Sequence, residues 1–336
     1  MIAQNACVDL DLVFLGTSGS VPTAQRAPSA LLLRRGGERL LFDCGEGTQR
    51  QLLRSTIGLP ELPEVFVSHF HADHYLGLPG MLKTFALRGR ELPLTVYGPR
   101  GLKDLFSTLR RVFGRLPYAL ELVELRPGDV LERGEYNVVT FSVAHAVESI
   151  GYAVVEQPRP GRFDVGAADA LGVPSGPERG LLQAGESIQV SDGRVVTPDE
   201  VLGPPRPGRR IVLSGDTAYS PLVLEAARGA EVLVHEATFL DEERERAAET
   251  AHATALEAAE LARDAEVGLL ALTHLSNRYF GPEVTREART IFPDTVVPKD
   301  FDVIDVPFAE RGPPRLIKGG ARQSREERTP EPEVVP

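Results

Sequence analysis

The sequence predicts a layered α/β domain in which helices cover the sheets. Short apolar runs of strand length alternate with segments of helical periodicity, as where the run at 65–67 is followed by a predicted helix at 78–87. The 336 residues are 42% hydrophobic and 25% charged, which is typical of a globular protein with a sizeable core. No apolar run approaches the ~20 residues that a membrane-spanning helix requires, so we expect no membrane partner.

The N-terminal elements follow from apolar runs that turn residues separate. Strands are predicted at residues 12–15, 31–33, 40–42 and 65–67. Gly36 and Gly37 lie between the second and third of these runs and favour a tight hairpin. The stretch after residue 42 is predicted to open a helix that ends at 53. A helix at 78–87, a strand at 94–97 and a helix at 102–113 follow.

The C-terminal half returns to buried strands. Apolar runs predict strands at residues 139–143, 211–213, 232–234 and 269–272. Between the last two, Thr254 and Glu257 have the spacing of a capping box, in which each side chain satisfies a free backbone N–H at a helix start. We therefore expect a helix over 254–262.

Two segments differ in composition from the rest of the predicted domain of residues 1–318. Residues 158–210 are crowded with proline and glycine, and their seven arginines are balanced by acids. Such a composition predicts little hydrophobic core, and we expect a projecting, flexible arm inserted in the domain. A solvent-exposed loop without function is the alternative. Residues 319–336 are polar and rich in proline and glutamate, so we expect a disordered tail.

Charge and cysteine content restrict the class of protein. The net charge of −11 disfavours a nucleic-acid partner, because it repels phosphates at long range. A local patch of basic residues or bound cations can still make the electrostatic potential at a site positive. Cys7 and Cys44 are too few for a disulfide framework. The first nine residues lack the pattern of a signal peptide, so we expect a cytoplasmic protein.

The strongest motif is the run His69, Phe70, His71, Ala72, Asp73, His74. On an extended segment, His69 and His71 face the same side, while the adjacent Asp73 and His74 point differently and can serve a second ion. Neutral imidazole and carboxylate are ligands that zinc favours. A surface histidine cluster that binds no metal is the alternative.

Three further ligand types follow predicted strands. His145 follows the run at 139–143, Asp216 follows 211–213, and His274 follows 269–272. Strand ends in layered α/β folds are where sites are usually built, so these side chains are candidates for the same centre. A carboxylate has two oxygens, which lets Asp216 bridge two ions.

Together these residues resemble the metallo-β-lactamase superfamily. The resemblance implies an αββα sandwich with two metal ions at one edge of the sheets. One ion would be held by His69, His71 and His145, and the other by Asp73, His74 and His274, with Asp216 bridging. The ions implied are two Zn²⁺ per subunit, with Mn²⁺ or another divalent metal as the alternative.

Other segments are similar to the ribonuclease Z family, in its short form. They are HEATF from His235, HATA from His252, HLSNRY from His274, FDCGEGT from Phe42 and GLPG from Gly77. The likeness spans residues 12–307, and the arm matches that family's tRNA-gripping exosite in position. Two features depart from it: Ala253 stands where serine is frequent, and the arm is charge-balanced rather than basic, which puts its grip on RNA in question.

The resemblance implies a zinc-dependent endoribonuclease that removes the 3′ trailer from precursor tRNA and acts as a homodimer. It would leave a 3′-hydroxyl on the tRNA and a 5′-phosphate on the trailer. Asp73 would orient the attacking water, His252 would act as general acid, and Glu236 would orient His252. For His252, an exposed loop histidine is the alternative, and His235 is expected to be structural. The candidate RNA contacts are Arg278, Arg159, Arg162 and Arg179; for Arg278, a surface ion pair is the alternative.

Two rival hypotheses remain open from the sequence. The first is another hydrolase on the same scaffold, which cuts a thioester, a lactam or a small phosphodiester, because one fold hosts many reactions. The second is a non-catalytic RNA-binding or scaffold protein, which we would expect to have lost metal ligands.

Overall fold

The computed structural model describes residues 8–59 and 62–321. Residues 319–321, which the sequence assigned to a disordered tail, pack against the domain instead. Ala321 is buried, its N–H donates to the carbonyl of Phe301 at 2.9 Å, and its carbonyl accepts from the N–H of Thr56 at 2.8 Å. The remaining part of the predicted tail, 322–336, lies outside the described residues.

Strands in the described part of the chain form two large sheets and one short hairpin. They are β1 (Leu10–Gly16), β2 (Ala30–Arg35), β3 (Glu38–Phe42), β4 (Glu64–Phe66), β5 (Leu94–Pro99), β6 (Leu120–Leu125), β7 (Val130–Glu132), β8 (Tyr136–Ser142), β9 (Ile150–Glu156), β10 (Ile188–Gln189), β11 (Val195–Val196), β12 (Arg210–Leu213), β13 (Val232–Glu236), β14 (Leu270–Thr273), β15 (Thr295–Val296), β16 (Val303–Asp305) and β17 (Arg315–Ile317).

Both large sheets combine parallel and antiparallel pairs. The first has the order β17-β16-β1-β2-β3-β4-β5-β6, and its strands from β3 to β6 run parallel. The second has the order β15-β14-β13-β12-β9-β8-β7, and its strands from β12 to β15 run parallel. In each sheet the carboxyl ends of the parallel strands therefore meet at one edge, where polar side chains from separate segments can converge.

The helices of the described residues cover the outer faces of the two sheets or belong to the segment 158–210. They are α1 (Thr48–Arg54), α2 (Ala72–Tyr75), α3 (Gly77–Leu87), α4 (Leu102–Phe113), α5 (Val165–Ala170), α6 (Pro177–Gln183), α7 (Pro221–Ala227), α8 (Arg244–Glu249), α9 (Ala255–Asp264) and α10 (Gly281–Ala288). The predicted helices over α3, α4 and α9 are confirmed, and Thr254 and Glu257 form the predicted capping box. None of the helices described is both long and apolar enough to cross a bilayer.

Strand β1 illustrates why both faces of the sheets are apolar. Alternate side chains point to opposite faces of a strand, and here Leu12 and Phe14 enter the core between the two sheets. Val13 and Leu15 enter a second core beneath α1, α3 and α4. A third core lies between the second sheet and α7, α9 and α10. The result is a four-layer αββα sandwich, as the resemblance implied.

The segment 158–210 is a small folded unit rather than a segment without a core. It contains α5, α6 and the hairpin β10–β11, and it buries its own cluster of apolar side chains. These are Ala168, Val173, Leu182, Ile188, Val190, Val196 and Val201. The expectation of little hydrophobic core was therefore wrong, because several short segments each contribute one or two apolar residues that have no visible period in the sequence.

A buried ionic cluster fixes the base of this arm. Glu156 ends β9, its side chain is 4% exposed, and it accepts from Arg209 at 2.7 and 2.8 Å and from Arg35 at 2.9 Å. Arg209 in turn donates to the carbonyls of Val306 and Val8 at 2.9 and 2.8 Å. Although burial opposes ionisation of Glu156, the hydrogen bonds from Arg209 hold the pKa of this carboxyl below its usual range.

We expect Glu156→Gln to lower the free energy of unfolding by about 3 kcal/mol, because it leaves the buried Arg209 without its countercharge, whereas Arg35 keeps its ion pair with Glu135. Urea titration measures this change. Because the folded-state pKa of Glu156 is depressed, its contribution is present above the ordinary glutamate pKa and is lost as the pH falls toward the folded value. The control is Glu225→Gln, which removes an exposed ion pair with Arg228 and should change stability little. Equal effects of both variants would contradict the prediction.

Candidate metal centre and active site

The predicted ligands converge at the edge where the strands end. The loop after β4 carries His69, and His145 follows β8. Asp216 and His274 follow β12 and β14, which lie in one sheet with β13 between them. Gly19 of the neighbouring loop packs on His274 so closely that an added Cβ would lie 2.8 Å from its Nδ1, which explains the need for glycine there.

The first group of side chains surrounds one point. Nδ1 of His71 lies 3.0 Å from Nε2 of His69 and 3.2 Å from Nε2 of His145. Oδ2 of Asp216 lies 3.7 Å from Nε2 of His69. These are the three histidines and the carboxylate that the sequence predicted for one ion, and one ligand atom from each lies within 4.8 Å of the others.

The second group is centred on Asp73, His74 and His274. Oδ2 of Asp73 lies 3.5 Å from Nε2 of His74 and 3.2 Å from Nε2 of His274. Oδ2 of Asp216 lies 3.4 and 3.3 Å from the same two nitrogens. Asp216 therefore contacts both groups, which is the arrangement required of a bridging carboxylate.

These distances fit a coordination shell. Four ligands placed tetrahedrally at about 2.0–2.1 Å from an ion are separated from each other by about 3.3 Å. Nε2 of His74 is buried and has no hydrogen-bond partner among the described residues, although a buried polar atom is costly to leave unsatisfied. A divalent cation between these atoms would supply the missing partner, so the residues present fit two metal ions.

Contacts behind the imidazoles fix which nitrogen faces the centre. Nδ1 of His69 is paired with Ser68 Oγ at 3.0 Å, and Nδ1 of His145 with the carbonyl of Ala251 at 2.9 Å. For His274, Nδ1 contacts Oγ1 of Thr238 at 2.8 Å. Such partners orient metal-binding histidines and raise their basicity. Each of these three rings is thereby held with Nε2 available for a metal.

Electrostatics at the centre favour positive charge. Burial opposes protonation of His274, but the neighbouring carboxylate of Asp216 outweighs it and raises the pKa of His274 to about 9. The pKa of Asp216 lies well below its usual range despite burial, because His274 and His74 stabilise its anion. Burial and the proximity of His74 lower the pKa of His69 to about 2, which keeps it neutral. Metal ions satisfy the same demand when they displace protons.

His252 and Glu236 lie beside this centre as a hydrogen-bonded pair. Nδ1 of His252 is 2.8 Å from Oε1 of Glu236, and that carboxylate also accepts from Thr217 N at 2.7 Å and Thr238 Oγ1 at 2.6 Å. A ring nitrogen of His252 is within 4.8 Å of ligand atoms of Asp216 and His274. Although burial opposes protonation of His252, Glu236 raises the pKa of this histidine above its ordinary value. His252 is therefore partly buried and hydrogen-bonded, unlike the exposed loop histidine that was the alternative.

Comparison with known proteins identifies the family. A family model described as beta-lactamase superfamily domain matches residues 201–275, and a model described as anti-Pycsar protein Apyc1 matches residues 10–153. A curated protein named ribonuclease Z from Methanosarcina acetivorans is 46% identical over 303 residues, which covers 89% of this chain and 99% of the relative. The chain belongs to the ribonuclease Z family.

Further relatives agree with this assignment. A ribonuclease Z from Myxococcus xanthus is 49% identical over 271 residues and covers 80% of this chain and 88% of the relative. The crystal structure of human tRNase Z, short form, superposes with a TM-score of 0.65 at 28% identity and covers 88% of this chain and 99% of that one. As a ribonuclease Z family member, the chain is an endoribonuclease of the metallo-β-lactamase hydrolase superfamily. The family resemblance of the sequence motifs is thereby confirmed.

The sequence analysis did not include Asp43, which lies directly behind a candidate ligand of this ribonuclease Z family member. Asp43 lies after β3 with a φ of 56°, and its carboxylate is 2.7 Å from Nδ1 of His74. The same carboxylate accepts from the N–H and Oγ of Ser68 at 2.8 and 3.0 Å. It orients a predicted metal ligand from behind. Asp43 directly follows the buried strand β3, which neighbours β4, and this position could have indicated its role. The sequence prediction instead placed it at the start of a helix.

The arginines predicted to contact RNA occupy different environments in this family member. Arg278 forms an ion pair with Glu243 at 2.8 Å, which is the alternative to an RNA contact considered for this residue. Arg159 pairs with Glu310 at 2.8 Å and stacks on Phe308, at the base of the arm. The remaining two lie within the arm: Arg179 pairs with Asp169, and the exposed Arg162 has no ion pair within the described residues.

Proposed function

We propose that this chain is a zinc-dependent endoribonuclease that removes the 3′ trailer from precursor tRNA in the cytoplasm. The products would be a tRNA with a 3′-hydroxyl and a trailer with a 5′-phosphate. The observation that carries the proposal is the convergence of seven ligands, from four separate segments, into two groups that share Asp216. The names of the relatives, ribonuclease Z and tRNase Z, supply the substrate class.

The donor set supports zinc as the resident metal. Five imidazoles and two carboxylates surround the centre, and zinc favours nitrogen together with carboxylate oxygen at these numbers. Manganese would be the alternative, because sites that contain carboxylates accept several divalent metals. When bound, two such ions supply a nucleophile from water near neutral pH and neutralise the charge that grows on the phosphate.

The side chains of this protein perform the remaining steps. Oδ2 of Asp73 accepts from the N–H of Ser20 at 2.8 Å, which holds the carboxylate where it can orient the attacking water. Attack of the water oxygen on phosphorus forms a new P–O bond to the trailer phosphate and breaks the bond to the 3′-oxygen of the tRNA. This oxygen is a poor leaving group as an alkoxide, so it takes a proton from Nε2 of His252. Glu236 holds His252 in position and keeps it charged until the proton is transferred.

The experiment that tests this function is cleavage of a precursor tRNA after chelation and readdition of one metal at a time. We expect Zn²⁺ to restore a single cut, and sequencing of both products should find the 3′-hydroxyl and the 5′-phosphate on the expected fragments. Recovery of activity on a small phosphodiester or a thioester without any cut in precursor tRNA would overturn the proposal in favour of another hydrolase on this scaffold.

We also propose that residues 158–210 form a tRNA-binding arm and that the protein acts as a homodimer. In such a dimer, the arm of one subunit would hold the tRNA while the other subunit cuts it. The buried cluster around Glu156 and Arg209 fixes the base of the arm, and the arm has a core of its own, which suits an element that must hold a large substrate. Sedimentation at several concentrations tests the dimer.

Removing the arm should separate tRNA binding from catalysis. Arg159 and Arg206 pair through two backbone hydrogen bonds of 2.7 and 2.8 Å, so a two-residue turn can replace residues 160–205 between them. We expect kcat/KM for precursor tRNA to fall by about 100-fold, equivalent to roughly 2.7 kcal/mol. The hydrolysis of bis(p-nitrophenyl) phosphate should remain unchanged. An equal loss on both substrates would count against a binding role for the arm.

A further inference from the structure

A cluster of cationic side chains covers α4 and the ends of the neighbouring strands. Residues 100–126 contain six lysines and arginines and only three acids, in a chain whose net charge is −11. All six of these cations are exposed, and the five from residue 100 to residue 115 define what we call the α4 basic surface. They are Arg100, Lys103, Arg110, Arg111 and Arg115.

These cations are not used in ion pairs. None of the five has a carboxylate within 4.0 Å among the described residues, although Glu124 lies close enough for Arg100 and Lys103 to lower its pKa. The arm shows the opposite pattern, since most of its arginines form ion pairs. These are Arg159 with Glu310, Arg179 with Asp169, Arg194 with Glu200, and Arg206 with Glu310. The five cations of the α4 basic surface therefore differ from most arginines of the arm, whose charge is neutralised by a carboxylate partner.

Helical spacing aligns part of this surface along a cleft. Lys103, Ser107 and Arg110 are separated by four and three residues, so they occupy one face of α4. The three side chains line a cleft of about 470 Å³, together with Arg115 beyond the end of the helix. A second cleft of about 420 Å³ adjoins Lys103 and includes Arg100. Four of the five cations thus line two adjoining clefts, which together we call the groove, and Arg111 lines neither.

The start of α4 lies next to the segment that carries the predicted ligands His69 and His71. The ring of Phe70, between His69 and His71, packs against Gly98 and Gly101, where an added Cβ would lie 3.6 and 3.5 Å from it. Gly101 immediately precedes α4. A helix of this length extends about 18 Å, so the cationic face runs from a point near the predicted ligands to one about that distance away.

We propose that the α4 basic surface binds the phosphate backbone of single-stranded RNA that leads away from the metal centre. The inference rests on the proposed function, because a 3′ trailer is the single strand that adjoins the cut bond. Exposed cations along a groove bind such a strand by releasing its counterions, without reading its sequence. The net charge of the chain does not exclude this binding, because the six cations of residues 100–126 outnumber the three acids of the same segment.

The test compares two variants that remove the same charge. The first combines Lys103→Gln, Arg110→Gln and Arg111→Gln, which keep good helix formers on α4. The matched control combines Arg228→Gln, Arg263→Gln and Arg286→Gln, three exposed arginines on α7, α9 and α10 or at their ends. The metal-loaded proteins are titrated with a labelled single-stranded RNA oligonucleotide at several salt concentrations, and the RNA is checked afterwards on a gel.

We expect the α4 variant to bind about 10-fold more weakly at low salt. Its slope of log K against log salt should be smaller by about 2, because three phosphate contacts at ~0.7 each are lost. The control should match the wild type, and all three proteins should hydrolyse bis(p-nitrophenyl) phosphate equally. Unchanged affinity and slope in the α4 variant would overturn the inference. So would a change of oligomeric state on gel filtration, which would assign the surface to a second copy of the chain.

The two proposals fail in distinguishable ways. If wild-type protein does not cut precursor tRNA, the proposed function is lost, whereas salt-dependent binding of the oligonucleotide still reports on the α4 basic surface. If cleavage occurs and the binding slope is the same for all variants, only the inference about this surface is lost.

Discussion

Replacing Asp216 with asparagine is expected to reduce cleavage of precursor tRNA by at least about 10³-fold and to reduce the bound metal. Its Oδ2 lies 3.3–3.7 Å from Nε2 of His274, His74 and His69, so one carboxylate serves both predicted ions. An asparagine keeps the shape but is neutral, and its NH₂ group repels a cation. Loss of a partner behind a ligand already costs 10–100-fold, so loss of the shared ligand should cost more.

Elemental analysis of the purified variant measures the metal content, and bis(p-nitrophenyl) phosphate hydrolysis measures the centre without any need to bind tRNA. We expect both readouts to fall together. A variant that retained two metals per chain and wild-type turnover would show that Asp216 does not bridge them, and the proposed mechanism would have to be abandoned.

Asp43→Asn provides the graded comparison. Asp43 does not reach the ion positions but holds Nδ1 of His74 at 2.7 Å, so its change should weaken metal affinity by about 10–100-fold and leave the ligands in place. Excess zinc should therefore restore most of the activity of Asp43→Asn and little of that of Asp216→Asn. Failure of zinc to rescue either variant would mean that Asp43 serves the fold and not the metal.

The convergence of the candidate metal ligands could be predicted from the sequence because each lies where an apolar strand ends. The run from His69 to His74 gives the pattern locally, and the ends of parallel strands bring His145, Asp216 and His274 to the same edge. Asp43 obeys the same rule, but its role depends on which neighbouring strand it faces. That pairing, of β3 with β4, is a long-range contact that the sequence does not reveal.

The uses of the arginines were harder to predict, because a guanidinium shows its role only through its partner. Arg159 looked available for RNA, yet its partner Glu310 lies 151 residues further along the chain. The sequence does not distinguish the cations of α4, in contrast, because they lie on an ordinary amphipathic helix. In the described structure, these cations are distinguished from a solvated helix face by having no carboxylate within 4.0 Å and by lining clefts.

The short elements escaped prediction for a different reason. Strands β15, β16 and β17 have two or three residues each, too few for a period of two to be recognised. They are strands because neighbouring backbone satisfies their hydrogen bonds, as where Val303 pairs with Val13 and Ile317. The core of the arm has the same origin, since its apolar residues come from segments that become adjacent only after folding.

A second large effect is expected at His252. Replacing it with alanine should lower kcat for precursor tRNA by about 10²–10⁴-fold, the usual contribution of a general acid. The metal content should stay at the wild-type level, since none of the predicted ligands depends on this ring. Loss of metal from the variant would refute the role, because it would make His252 a ligand.

The leaving group provides the sharper test of this role. The 3′-oxygen of a tRNA must be protonated as it departs, whereas p-nitrophenolate is stable as an anion and needs no proton. His252→Ala should therefore keep most of its activity on bis(p-nitrophenyl) phosphate while it loses activity on precursor tRNA. A similar loss on both substrates would indicate that His252 acts in another way, such as stabilising charge on the phosphate.

Glu236→Gln isolates the contribution of the partner. Glu236 raises the pKa of His252, and a general acid is active only while it is protonated, so activity falls as the pH rises through that pKa. Without the negative charge, the pKa should fall, and the alkaline limb of the kcat profile for precursor tRNA should move to lower pH. Glutamine still accepts from Thr217 N, which preserves the local fold. If the limb stays in place while kcat drops uniformly, Glu236 orients the ring without controlling its proton.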